Sequence, residues 1–207
     1  YVQILSEMFR NQTPSFSISA DTVRLSSSAV QLTDKSTGAI HFRNCGIDGF
    51  TVAIVLENIR QHRIFLHHSP VITLLIGIND IGLIMNTDRT DSQKEQMMRE
   101  FATHYNELLN LLTADARQVI LMEPFIFPHP EEYETWIPYV HTMSDIIRQL
   151  SVRFRLPFLP LHNYFNKEAT QSGFDAITTD GIHLTLYGHK LLAEKLFPLL
   201  QSIDNNP

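Results

Sequence analysis

Two short apolar runs constrain the fold of this chain more than any other feature. Residues 71–76 read Val-Ile-Thr-Leu-Leu-Ile, and residues 118–122 read Gln-Val-Ile-Leu-Met. A strand with one face in solvent alternates apolar and polar residues. These runs do not alternate, which is typical of parallel strands that helices cover on both faces. The sequence therefore predicts an α/β protein in which both runs are buried strands.

Helical patterns surround these strands, and the alternation of the two element types indicates the topology. Helices are predicted over residues 1–9, 51–62, 92–114, 131–154 (with an interruption at Pro138) and 186–200, and further short strands over 39–44 and 157–161. Strands that alternate with helices form right-handed crossovers, so we expect a three-layer, flavodoxin-like parallel sheet with helices on both faces. We expect one domain over residues 1–207, in which the Ser- and Thr-rich stretch 11–38 is a hairpin-like excursion or a mobile loop.

The composition excludes several classes of protein. With 207 residues, 43% of them hydrophobic, the chain can bury a core. A net charge of −6 provides no basic surface for nucleic acid, and the longest apolar run, Val71 to Ile78, is too short to span a bilayer. The single cysteine, Cys45, excludes an internal disulfide and predicts a cytoplasmic protein, although a leader removed upstream of Tyr1 would leave the same sequence. The sequence leaves open whether the chain forms a homo-oligomer.

Three polar clusters follow predicted strand ends and are candidates for one site. They are residues 44–49, residues 77–80, and the pair Asp180 and His183. In open parallel sheets, ligands bind beyond the carboxyl ends of the strands, so we expect these clusters to meet at one rim. An acid three residues before a histidine can fix the imidazole tautomer and leave the other ring nitrogen to accept a proton. The pattern indicates a nucleophilic hydrolase.

Jointly, these clusters resemble the signature blocks of the SGNH (GDSL-type) hydrolases. The resemblance lies in Asn44 to Thr51, Gly77 to Asp80 and Asp180 to His183, which are three of the family's four blocks in the family's order. It extends over nearly all of the chain from Ala39 onward. It implies an α/β esterase, lipase or acylhydrolase that cleaves a small acyl ester through a serine acyl-enzyme and uses neither a cofactor nor a metal ion.

The resemblance also implies a role for each motif residue. His183 would be the general base and Asp180 its orienting partner, while the Gly49 backbone N–H and the Asn79 side-chain amide would donate to the oxyanion. Such a donor is typically worth roughly 3–4 kcal/mol of transition-state stabilisation. Ile47, Phe50 and Phe125 are predicted to line the substrate pocket. The last belongs to an aromatic cluster, residues 125–139, that could line an acyl or sugar pocket and could equally be core.

The family's remaining block, Gly-Asp-Ser, does not occur in this sequence. Ser28 leaves no room for a helix before Ala39, and Ser6 lies inside a helical stripe, so neither fits as the nucleophile. The resemblance places the serine upstream of Tyr1, at the end of a first strand. In the sheet, that strand would lie between the strands predicted over 39–44 and 71–76. We therefore expect about 20–35 further N-terminal residues, from the usual size of a βα unit.

Other interpretations of the same residues remain open. If the nucleophile is truly absent, the rim would hold an acylated or carbohydrate ligand without cleaving it. A nucleotide-binding domain is disfavoured because no Gly-x-Gly-x-x-Gly turn opens a helix. Taken singly, His183 could cap the last helix and Asn79 could belong to an ordinary turn. Cys45 is interpreted as a small buried apolar residue, and His62, His67 and His68 as a solvated patch that lacks the spacing of a metal site.

Overall fold

Three parallel strands form the centre of the molecule. The structure is a computed structural model, and it describes residues 3–5, 7–8, 42–62, 69–114 and 117–204. The strands lie in the order β1-β2-β3, where β1 is Val71–Leu75, β2 is Gln118–Met122 and β3 is Phe158–Leu159. The two apolar runs are therefore adjacent parallel strands, and the strand predicted over 157–161 is shorter than expected.

Helices precede, connect and follow these strands. In chain order they are α1 (Val52–Arg60), α2 (Ile78–Met85), α3 (Asp91–Thr113), a 3-10 helix (Glu131–Trp136), α4 (Ile137–Phe154), α5 (His162–Ser172), α6 (Phe174–Ile177) and α7 (Leu186–Asp204); residues 3–5 and 7–8 are also helical. The helices predicted over 51–62, 92–114 and 186–200 are confirmed to within a few residues. The predicted interruption near Pro138 is confirmed as well, because proline fits only the first turn of α4, and the 3-10 helix ends just before it.

The two faces of the sheet carry separate hydrophobic cores. One core contains Ile72, Leu74, Val119 and Leu121 with side chains of α1 to α4, and the other contains Val71, Ile120 and Met122 with side chains of α5 to α7. Successive strand residues point to opposite faces, so a strand covered on both sides must be apolar at every position. This confirms the predicted α/β sheet with helices on both faces and explains why the two runs do not alternate.

The strand predicted over 39–44 is not confirmed. Residues 42–44 carry no strand, and residues 39–41 lie outside the described residues, as do the predicted excursion 11–38 and Ser28. A strand needs a hydrogen-bonded partner, and no strand in the described ranges pairs with β1 on the side away from β2. The expected first strand beside β1 stays a prediction.

Three helices, α2, α5 and α6, have no counterpart in the sequence prediction. Helix α2 begins at Ile78, three residues after the end of β1, and most of its residues are apolar. Its apolar residues therefore continue the apolar run of β1. The change from the strand period of about 2 residues to the helical period of about 3.6 is not visible in the sequence. Helices α5 and α6 are short, and neither has a side-chain cap at its N-terminus.

Candidate active site

Asp180 and His183 form a hydrogen-bonded pair in the loop before α7. Nδ1 of His183 lies 2.6 Å from Asp180 Oδ2, and Asp180 Oδ1 accepts the backbone N–H groups of Ile182 and His183 at 2.9 and 2.7 Å. Burial alone would raise the pKa of Asp180, but these hydrogen bonds outweigh burial and hold the pKa below its ordinary value. An ionised carboxylate on Nδ1 favours the tautomer in which Nε2 can accept a proton.

The loop that carries this pair depends on one threonine and one glycine. The Thr178 hydroxyl donates to His183 O at 2.8 Å and accepts the Gly181 N–H at 2.9 Å. Gly181 has a φ of 90°, in the region that only glycine adopts readily. A Cβ at Gly181 would lie 2.2 Å from the carbonyl oxygen of His129, so the close approach of two backbone segments also requires glycine.

Asn79 lies in the first turn of α2 and joins that helix to the segment that contains Gly49. Its side-chain amide donates to the carbonyl oxygen of Phe50 at 3.0 Å. A primary amide carries two N–H groups, so this bond orients the side chain and uses one of them. The arrangement can present the second N–H to a ligand at the carboxyl end of β1.

Asp48 and Gly49 lie beside His183. Oδ1 of Asp48 is 3.9 Å from Nε2 of His183, and the same oxygen accepts the backbone N–H of Gly49 at 3.0 Å. Together with the bond from Asn79 to Phe50, these contacts connect all three polar clusters. The structure therefore brings Gly49, Asn79, Asp180 and His183 to one rim, although they come from separate loops.

Asp80, in α2, is hydrogen-bonded to the first residue of α1, Val52. Its carboxylate accepts the Val52 N–H, with oxygen distances of 3.1 and 3.3 Å. Burial raises the pKa of Asp80 to about 7, and the Val52 hydrogen bond only partly opposes the effect. The fully buried Tyr105 lies close enough that burial and then the charge of Asp80 raise the pKa of its phenol. Asp80 is therefore a bracing residue with an unusually basic carboxylate.

Replacing Asp80 with asparagine is expected to change how stability depends on pH. The folded-state pKa of about 7 exceeds the ordinary value of 3.8, so between these values the folded state binds a proton that the unfolded state has released. The free energy of unfolding should fall by about 2–4 kcal/mol as the pH rises through this window. Asp80→Asn should remove that fall, because the amide oxygen still accepts the Val52 N–H without a charge. Urea unfolding of both proteins at about pH 4 and about pH 8 measures the difference, and parallel pH profiles would contradict this assignment.

The residues predicted to line a substrate pocket differ in position. Ile47 and Phe50 are half-buried and flank Gly49 at the rim. Phe125 is 7% exposed and packs on Phe165, with ring centroids 4.6 Å apart, in the core on the α5 to α7 face. Its position after a buried strand continues that core, so the structure gives no support to a pocket-lining role for Phe125.

Within the aromatic cluster over residues 125–139, the ring of Tyr133 lies beside Gly181 in the loop that carries Asp180 and His183. Its ring would be 2.8 Å from a Cβ at Gly181, and its ring centroid is 4.8 Å from that of Trp136. Burial raises the pKa of the Tyr133 phenol, and the charges of Asp180 and Glu132 add to the effect. Phe127 and Trp136 are buried, so the cluster is core apart from a few members such as Tyr133.

Cys45 is half-buried next to the rim. Burial raises the pKa of its thiol above the ordinary value, and the nearby Arg43 opposes this only partly. A thiol with a raised pKa is largely protonated near neutral pH and is a weak nucleophile. This agrees with the interpretation of Cys45 as a small apolar residue.

Glu123 is a buried carboxylate that the sequence analysis does not identify. It follows β2, is 7% exposed, and accepts the backbone N–H groups of Leu161 and His162 at 2.6 and 2.8 Å. It also accepts the Ser144 hydroxyl. These bonds tie the end of β2 to the start of α5 and to α4. A charged residue directly after an apolar strand is the signal that could have identified it, because a buried charge must have partners.

Two features are absent from the ranges of the chain that the structure describes. No described helix combines the length and apolar composition that a membrane span requires. No group of three or more His, Cys, Asp or Glu side chains in these ranges is arranged to hold a metal ion.

The sequence as a whole matches a known family. The model of the GDSL-like lipase/acylhydrolase family matches residues 17–191, a range that contains all three polar clusters. No curated protein sequence matches the chain.

Several solved structures share the fold. LAE5, an α/β hydrolase enzyme from the metagenome of Lake Arreo in Spain, has a TM-score of 0.70 and 19% identity, over 96% of this chain and 79% of that chain. The acetyl xylan esterase AlAXEase has a TM-score of 0.67 and 17% identity, over 96% of this chain and 89% of that chain. An acetylxylan esterase from Geobacillus stearothermophilus has a TM-score of 0.61 and 21% identity, over 79% of this chain and 73% of that chain. At these identities the likeness establishes a common fold.

Structures of that Geobacillus esterase include three catalytic mutants. In them a serine, an aspartate or a histidine is replaced by alanine, and the aspartate and the histidine are three positions apart. Asp180 and His183 have the same spacing in this chain.

Proposed function

Because the chain belongs to the GDSL-like lipase/acylhydrolase family, we propose that it is a carboxylic ester hydrolase that acts through a serine acyl-enzyme. The observation that carries the proposal is the 2.6 Å contact between Asp180 and Nδ1 of His183. That contact leaves Nε2 as the proton acceptor, on the rim that also carries Gly49 and Asn79. The nucleophile would be the serine of the block that the resemblance places before Tyr1.

In this mechanism His183 takes up and releases one proton in each of two half-reactions. Nε2 takes the serine proton while the serine oxygen attacks the ester carbonyl carbon, and the negative oxygen that forms is received by the Gly49 N–H and the Asn79 amide. The imidazolium then gives its proton to the leaving alcohol as the C–O bond breaks. Water repeats both steps and releases the acid. Asp180 stays ionised throughout, which is consistent with its lowered pKa.

An acetylated sugar is the substrate class that we propose. Two of the structural neighbours are acetylxylan esterases, and the Asp180 and His183 spacing matches that of the catalytic mutants in one of them. Tyr133 beside the Gly181 loop would offer an aromatic surface to the sugar ring. Acetylated xylo-oligosaccharide and p-nitrophenyl acetate are the substrates to assay, using the protein with whatever residues its gene encodes before Tyr1. No hydrolysis of either ester would contradict the proposal.

Replacing Asn79 with alanine should lower kcat for p-nitrophenyl acetate by about 10²- to 10³-fold, because one oxyanion donor is lost. The acyl-enzyme chemistry would otherwise continue, so KM should change much less than kcat. Asn86→Ala, at the opposite end of α2, is the matched control and should retain activity. If kcat/KM falls equally in both variants, damage to α2 is responsible and not the loss of the donor.

A further inference from the structure

We infer that Asp48 makes the site select against acyl groups that carry a negative charge. This inference rests on the proposed function and names the charge class of its substrate. One atom, Asp48 Oδ1, lies close to both the proposed oxyanion donor, Gly49, and the proposed base, His183. None of the roles proposed for the motif residues requires a carboxylate at position 48.

The geometry places a negative oxygen where the substrate must bind. Oδ1 of Asp48 accepts the Gly49 N–H at 3.0 Å and lies 3.9 Å from Nε2 of His183. The Gly49 N–H is the proposed oxyanion donor, and Nε2 is the proposed proton acceptor. An ester carbonyl oxygen that is to accept the Gly49 N–H must therefore displace the Asp48 carboxylate from that group.

Displacement by a neutral ester should be easy. The Asp48 side chain is 75% exposed, so it exchanges one hydrogen bond to Gly49 for hydrogen bonds to water. Asp48 cannot move far, however, because it precedes Gly49 directly in the chain. Its charge therefore stays within a few ångströms of any acyl group bound between Gly49 and His183.

An acyl group that carries its own carboxylate meets this charge. In water, two like charges about 4–5 Å apart disfavour each other by a factor of about four to five. The effect should weaken as salt is added, because exposed charges are screened beyond about 3 Å at 1 M ionic strength. The preference is a property of the acyl side of the site, and it leaves neutral acetyl and longer neutral acyl groups unaffected.

Two esters with one leaving group isolate the effect. 4-Nitrophenyl hemisuccinate carries a carboxylate on its acyl group, and 4-nitrophenyl pentanoate is neutral and of similar length. Any influence of Asp48 on the basicity of His183 acts on both esters and cancels in the ratio of their kcat/KM values. Asp48→Asn should raise the hemisuccinate-to-pentanoate ratio about fivefold at low salt, and about 1 M NaCl should abolish most of that gain.

Matched variants separate the possible outcomes. Asp48→Ser should raise the ratio as Asp48→Asn does, since both remove the charge, and Asp145→Asn, an exposed acid on α4, should leave it unchanged. An unchanged ratio in both Asp48 variants, with hydrolysis of the pentanoate intact, would overturn the inference and leave the proposed function standing. Failure of the unaltered protein to hydrolyse either ester would overturn both.

Discussion

The His183→Ala variant should lose at least about 10⁴-fold in kcat/KM for p-nitrophenyl acetate. Alanine removes the imidazole that, in the proposed mechanism, takes the serine proton and returns it to the leaving alcohol. The 2.6 Å contact that orients the imidazole on Asp180 would be lost with it. Steady-state hydrolysis, with thermal unfolding measured on the same samples, distinguishes loss of chemistry from loss of fold.

His104→Ala is the matched control for this experiment, because His104 lies on α3 outside the rim. His104 is half-buried, but it is not part of any motif of the candidate site, so the variant should retain activity within about twofold. Full activity in the His183→Ala variant would remove the general base from the mechanism and overturn the proposed function. Loss of activity in both variants would instead point to a general effect on folding.

Gly181→Ala should destabilise the protein by about 2–5 kcal/mol and abolish activity. The added Cβ would lie 2.2 Å from the His129 carbonyl oxygen and 2.8 Å from the Tyr133 ring, and an L-residue at a φ of 90° is strained in addition. The loop must move to relieve the clash, which breaks the bond from Phe127 N to Gly181 O and displaces Asp180 and His183. Urea unfolding and esterase assays measure the two effects together.

Gly173 provides a control for backbone strain alone. It has a φ of 88°, close to that of Gly181, but an added Cβ there meets nothing within 4 Å. Gly173→Ala should therefore cost only about 1–2 kcal/mol and leave kcat unchanged. If the two alanine variants lose the same stability, the close approach of the Gly181 loop to His129 is not what requires glycine.

The strands and long helices of this fold are readable from local pattern. Val71–Leu75 and Gln118–Met122 are apolar at nearly every position because helices cover both of their faces, and the sequence records that burial directly. Helix α3 is equally plain: its buried Phe101, Tyr105 and Leu112 recur with the helical period, and a Thr90–Gln93 capping box begins it. The strand over 39–44 is the exception, because a strand exists only against a partner and no local pattern reveals one.

In the candidate site, too, short-range contacts can be predicted from the sequence and long-range packing cannot. The three-residue spacing of Asp180 and His183 is short-range, so the sequence alone predicts that their side chains can meet, and they do at 2.6 Å. Whether Phe125 faces a pocket or a core depends on what packs over it, and Phe165 from a distant helix does so. The catalytic roles themselves stay predictions until the variants are measured.

The sequence by itself determined the strands β1 and β2, the main helices and the pairing of Asp180 with His183, because burial and hydrogen bonds between near neighbours produce periodic or short-range patterns. Only the tertiary structure decided which atoms share the rim. Asp48 Oδ1 lies between Gly49 and His183 because two loops that are far apart in the sequence are folded against each other. Such a contact depends on how whole helices and loops pack together, so it cannot be predicted from the spacing of residues in the sequence.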